Sequence, residues 1–159
     1  MKIELLNLVS TFVLSIFYLF FFAKVQNVFF QKFTNPKKNV AVMILFISSL
    51  ISASINLVYI SHLSSNAGVF FLKNDNYLNA ILYPAGYFFS MWLISFLIFR
   101  FSFLIVGMLS KENEEDELTK NNIELAIIHA VILISLTAII APSLVSIASH
   151  FIPYPELPF

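Results

Sequence analysis

Charged residues divide the chain into four long uncharged stretches: Leu5 to Ala23, Asn39 to Leu72, Asn76 to Phe99, and Leu125 to Pro155. Arg100 interrupts the third, and apolar sequence resumes beyond it to Leu109. A hydrocarbon core about 30 Å thick needs about 20 residues of apolar helix to cross it. The pattern therefore predicts an all-α membrane protein with four transmembrane helices, near 5–24, 39–61, 81–109 and 122–149, in one domain over 1–159. The first stretch has too long an apolar run for a signal peptide. It also lacks a small-x-small cleavage site before Lys24, so it reads as a membrane anchor.

The helix ends carry local chemistry. Asn35-Pro36 supplies a cap and a first-turn proline, which places the start of the second helix there and ends the first by Thr34. Before that end, Val25, Val28, Phe29 and Phe33 recur at helical spacing opposite Gln26, Gln31 and Lys32. The first helix is thus expected to outrun the bilayer with an apolar and a polar face. Pro142 removes a backbone donor inside the fourth helix and is expected to kink it.

Composition agrees with this picture. Hydrophobic residues make up 59% of the chain and charged residues 11%, against about a quarter charged in soluble domains. A net charge of zero gives no reason to expect nucleic acid as a partner. The absence of cysteine excludes disulfides, thiolate metal sites and a cysteine nucleophile. With 19 phenylalanines and 3 glycines, the helices are bulky rather than glycine-packed.

Basic residues orient the spans. Lys24, Lys32, Lys37, Lys38, Lys111 and Lys120 flank the two odd-to-even connections, and Arg100 lies nearer that end of its helix. Only Lys2 and Lys73 lie opposite. The positive-inside rule then puts both basic connections in the cytoplasm and both termini outside. Tyr59, Tyr77, Tyr83, Tyr87 and Tyr154 fall near the expected outer interface, where amphipathic rings settle.

The two halves, about 5–63 and 81–150, resemble each other. Laying Lys37 over Lys120 matches Asn39 to Asn122, Ile44 to Ile127, and the run Leu50, Ile51 and Ser52 to Leu133, Ile134 and Ser135. Val13 to Phe17 similarly meets Leu93 to Leu97, with Ser15 over Ser95. Apolar helices match often by chance, but the shared Lys-x-Asn entrance favours duplication of a helical hairpin. Both copies would run in the same direction, as a parallel repeat about an axis along the membrane normal.

Two hairpins, each with an asparagine opening its even helix, resemble the domain-of-unknown-function 350 family of small bacterial inner-membrane proteins. The residues that carry the resemblance are Asn39-Val40-Ala41 and Asn122-Ile123-Glu124 with the helices that follow, over about 10–150. Family members favour small residues after the asparagine; here Ser48, Ser49, Ser52 and Ser54 fill the second helix and Glu124 replaces a small residue. The resemblance implies an inner-membrane location and no known chemistry.

Polar residues inside the spans are costly and need a reason. Arg100, Glu124 and His129 fall in the cytoplasmic half of the last two helices, where a cluster between them is geometrically possible. It would be a proton- or ion-responsive site, or an ion pair at the rim with a bystander histidine; the second is favoured because basic side chains snorkel. Ser49, Ser52 and Asn56 form a stripe suited to close helix packing, with pore lining as the alternative. Asn39 and Asn122 are expected to cap their helices. The acidic run Lys111 to Glu117 reads as a solvated loop whose acids favour the following helix N-terminus; it shares the expected cytoplasmic side with the basic loop at Lys24 to Lys38, and contacts between the two, within a chain or between subunits, would set assembly. His62 and His150 stand apart from any catalytic motif.

The expected role is thus a non-enzymatic membrane scaffold or docking component without a cofactor or metal. Its expected partners are the lipid bilayer and either further copies of the chain or a membrane or cytoplasmic protein. An oligomeric small channel or membrane-permeabilising effector is the alternative, since four helices alone do not readily enclose a pore.

Overall fold

The computed structural model describes residues 2–33, 39–74, 76–110 and 114–150, with side chains from residue 5 and, in the last segment, from 116. Five helices follow one another: α1 (Lys2–Phe30), α2 (Val40–Lys73), α3 (Asn79–Ser110), the short α4 (Glu114–Thr119) and α5 (Ile123–Ser149). The four long ones are each long and apolar enough to cross a membrane. Large apolar side chains such as Leu8, Phe12, Phe20, Leu97, Val131 and Ile139 lie exposed along them. Such a surface suits hydrocarbon rather than water, and the chain is a multi-pass membrane protein in contact with the bilayer.

α3 and α5 begin and end close to the expected limits. α2 does not stop near residue 61. It runs 34 residues, about 51 Å, to Lys73. Leu63, Ala67 and Phe71 continue its buried stripe at helical spacing. Beyond residue 61 it packs on the start of α1, where Asn7 meets Ser65, and on the start of α3, where Phe71 meets Tyr83, so its packing continues past the length that bilayer thickness requires. The expected start at Asn35-Pro36 lies outside the described residues; the described helix opens at Val40 behind an extended Asn39. α5 continues through Pro142, and α3 likewise contains Pro84.

The faces of α1 need a correction. Phe29 and Phe33 are buried as expected, but Val28 is exposed and Gln26, expected on the polar face, is fully buried. The physical reason is the solvent. Gln26 stands four residues from both Phe22 and Phe30, on the stripe that packs inward. In lipid the outward face is apolar, so opposition to valine no longer points a residue outward.

α2 is the hub. It packs on α1, α3 and α5, whereas α1 reaches α2 and α3 and makes no contact with α5 among the described residues. Alanines take the place of the scarce glycines at close approaches: Ala41, Ala53, Ala67, Ala126 and Ala141 have no exposed surface. Gly68 marks the tightest approach, because a Cβ there would run into Asn7 Oδ1 of α1 and that side chain would have to shift. One apolar core, around Phe30, Leu45, Phe99 and Leu133, lies towards the α4 end. A second, around Tyr18, Phe22, Ala53, Ile60 and Phe88, lies towards the other.

Candidate functional site

Several polar side chains of the long helices turn inward and meet at successive levels. Near the start of α1, Asn7 donates to Ser65 Oγ at 2.7 Å. In the middle, Ser95 of α3 joins three helices. Its hydroxyl proton goes to Met91 O, leaving its lone pairs to accept from Tyr18 OH at 2.7 Å and Asn56 Nδ2 at 2.6 Å. Ser52 of α2 then meets Thr137 of α5; Thr137 donates to Leu133 O, so Ser52 is the donor between the two hydroxyls. Ser49 turns back on its own helix and donates to Phe46 O. The predicted stripe Ser49, Ser52 and Asn56 is buried between helices.

One level further, His129 of α5 is fully buried against α3. Its Nε2 lies 2.7 Å from Ser102 Oγ, and the rings of Phe99 and Phe103 pack on it at 6.2 and 4.2 Å between centroids. Ser102 also donates to Phe99 O, which leaves it to accept from the imidazole.

His129 does not share this place with the other two predicted members of its cluster. Arg100 is exposed on α3, and its guanidinium lies 4.9 Å from the centre of the Phe29 ring and 5.6 Å from that of Phe96. Glu124 is exposed on α5. The three residues do not share a face, and no ion pair joins them among the described residues.

The predicted entrance asparagines do act as caps. Asn39 Oδ1 accepts from Val42 N at 3.0 Å, and Asn122 Oδ1 accepts from Leu125 N at 3.1 Å. Each also reaches α4: Asn39 Nδ2 donates to Leu118 O at 2.6 Å, and Asn122 Nδ2 donates to Glu117 Oε2 at 3.0 Å. Asn121 adds a third link, unforeseen, by accepting from Ala41 N at 3.0 Å. It holds a left-handed φ of 63°, a conformation asparagine tolerates better than most residues. With Leu118 fully buried beneath it, α4 is bound to the end of the bundle. The Lys120 ammonium, 2.6 Å from Glu117, holds that carboxyl below the usual carboxylate range, with help from the Asn122 amide.

Some buried polar atoms have no hydrogen-bond partner among the described residues: both amide atoms of Gln26, Asn56 Oδ1, Ser64 Oγ and Trp92 Nε1. No group of three or more His, Asp or Glu side chains that could hold a metal ion occurs among the described residues. On the bundle surface, α1 and α3 enclose a cleft of about 280 Å³ lined by Leu14, Phe17, Tyr18, Phe21, Phe88, Phe89 and Trp92.

Tyr18 and Ser102 were not singled out by the sequence, Ser95 entered only through the repeat match and Gln26 only as a polar-face residue. Serine and threonine are common in apolar helices, and only the helix partners distinguish those that cross-link from those that do not. No curated protein and no solved structure matches the chain. A family described as Domain of Unknown Function (DUF350) matches residues 2–144, nearly the whole length of the bundle. A multi-pass helical membrane protein with asparagine-capped helices α2 and α5, this chain belongs to the DUF350 family.

Proposed function

We propose that the protein is a non-enzymatic structural component of a bacterial inner-membrane assembly, with both termini outside, that oligomerises or docks a partner protein. The observation that carries this reading is the fixed position of α4. The Asn39 and Asn121 side chains tie the α4–α5 connection to the start of α2, and Asn122 ties Glu117 of α4 to the start of α5, so an acidic segment is held against the bundle end. A preorganised charged surface costs little ordering on binding. The burial of Ser49, Ser52 and Asn56 between helices supports a packing role for that stripe over pore lining. The paired caps Asn39 and Asn122 support descent from a duplicated hairpin.

Cross-linking in native membranes, followed by purification of the full chain, tests the proposal. Discrete higher species or a stoichiometric partner are expected, and both should weaken when Asp116 and Glu117 are changed to Asn and Gln. Monomers alone, with no co-purifying protein, would overturn it. Voltage-driven ion flux through the reconstituted protein would favour the channel alternative instead.

A further inference from the structure

The inward end of the α1–α3 groove carries cations. On α1, Phe17, Phe21, Lys24, Val28 and Lys32 follow one another at helical spacing. On α3, Phe89, Trp92, Phe96 and Arg100 do the same. The aromatic members face each other across the cleft: Phe21 meets Trp92 with ring centroids 5.9 Å apart, and Phe89 stacks on Trp92 at 6.2 Å. Continued one to three turns towards the α4 end, the stripes arrive at Lys24, Lys32 and Arg100, all exposed. Arg100 and Lys32 both lie over the ring of Phe29, at 4.9 and 6.0 Å from its centre.

No described carboxylate pairs with any of these three cations. The ion pair described is that of Glu117 with Lys120. Glu124 belongs to α5, which makes no contact with α1 among the described residues. Arg100 lies ten residues before the end of α3 at Ser110, about 15 Å along the helix. A guanidinium without a carboxylate partner among the described residues, exposed on the bundle surface at that depth, calls for an anion from the bilayer itself.

We propose that this groove binds an anionic phospholipid from the leaflet on the α4 side. Its phosphodiester lies between Arg100, Lys24 and Lys32, and an acyl chain lies in the aromatic cleft above. The guanidinium supplies a planar fork that matches phosphate oxygens, and the lysines add point charges. Basic pockets between transmembrane helices take anionic headgroups by this chemistry. The aromatic walls give the hydrocarbon chain a fixed apolar surface that continues directly from the headgroup site.

Trp92 is the single tryptophan of the chain and lines the cleft, so it reports on the occupant directly. The full-length protein is reconstituted in phosphatidylcholine vesicles doped with either phosphatidylglycerol or phosphatidylcholine carrying brominated acyl chains, which quench indole fluorescence on contact. Brominated phosphatidylglycerol is expected to reach half-quenching at a mole fraction roughly fivefold lower or less. Arg100→Gln, and separately Lys24→Gln with Lys32→Gln, should each move that curve towards the phosphatidylcholine curve and leave the latter in place. The lysines are exposed, so their variants keep the test valid if Arg100→Gln does not fold. Coincident curves for the natural sequence, or a preference that survives both sets of substitutions, would overturn the proposal. So would displacement by inorganic phosphate at matched ionic strength, or a Trp92 shielded from both lipids, as when a second copy fills the cleft.

Discussion

Asn56 of α2 donates to Ser95 of α3 across 2.6 Å, on the same hydroxyl that takes the Tyr18 proton from α1. One serine oxygen thus joins three helices at the middle of the bundle. Changing Ser95 to Ala leaves two buried donors without an acceptor, a loss of about 1–3 kcal/mol. Asn56→Ala removes one bond and also the unpartnered Oδ1, so it should cost less, near the ~0.6 kcal/mol average of interhelical bonds in membranes. A double-mutant cycle on unfolding in mixed micelles measures the coupling between the two; strict additivity would contradict the shared bond.

Gly68 tests the closeness of α1 and α2. Gly68→Ala should destabilise by about 1–3 kcal/mol through overpacking against Asn7. Asn7→Ala in the same chain should recover part of that loss by removing the atom the new methyl meets. Thermal unfolding of the two single variants and the double variant gives the comparison.

Gln26 should behave in the opposite sense. Its amide is fully buried and makes no hydrogen bond among the described residues, so Gln26→Leu replaces an unpaid desolvation penalty with apolar contact. A gain of about 1–3 kcal/mol is expected. A loss of stability would mean that the amide has a partner supplied from outside the chain.

The α4 link should weaken in acid. Glu117 has a folded pKa below its ordinary value, so its contribution is present above the unfolded carboxylate range and is lost as pH falls through the lowered folded pKa. Lys120→Met removes the main cause and moves the loss to higher pH. Hydrogen exchange at Leu118, Asn121 and Asn122, followed from neutral pH downward, reads this directly. An exchange rate in this segment that is independent of pH, after correction for intrinsic chemistry, would contradict it.

The four long helices were legible because hydrophobic length alone distinguishes a span from a loop. So were the caps Asn39 and Asn122, whose chemistry is local to three residues of chain. The packing stripe of Ser52 and Asn56 was legible as a pattern, but its partners Thr137 and Ser95 were not, since pairing depends on how neighbouring helices rotate. The same limit separates Arg100, Glu124 and His129. Counting residues from a helix end gives depth, whereas direction around the axis is set by the neighbours. Arg100 therefore meets Phe29 of α1, and His129 meets Ser102 of α3. Gln26 was misplaced for a different reason: a polar residue opposite valine faces water in a soluble helix and the interior in a membrane one.

The Asn39–Leu118 hydrogen bond has a consequence for biogenesis. Asn39 leaves the ribosome long before Leu118, so during synthesis α2 must enter the membrane with its first turn tied only by its own asparagine. α1, α2 and α3 can already close around Ser95 at that stage, while α5, which makes no contact with α1 among the described residues, is still to come. The nascent chain would thus pass through a three-helix intermediate with the α5-facing side of α2 open, and the arrival of α4 and α5 would seal it.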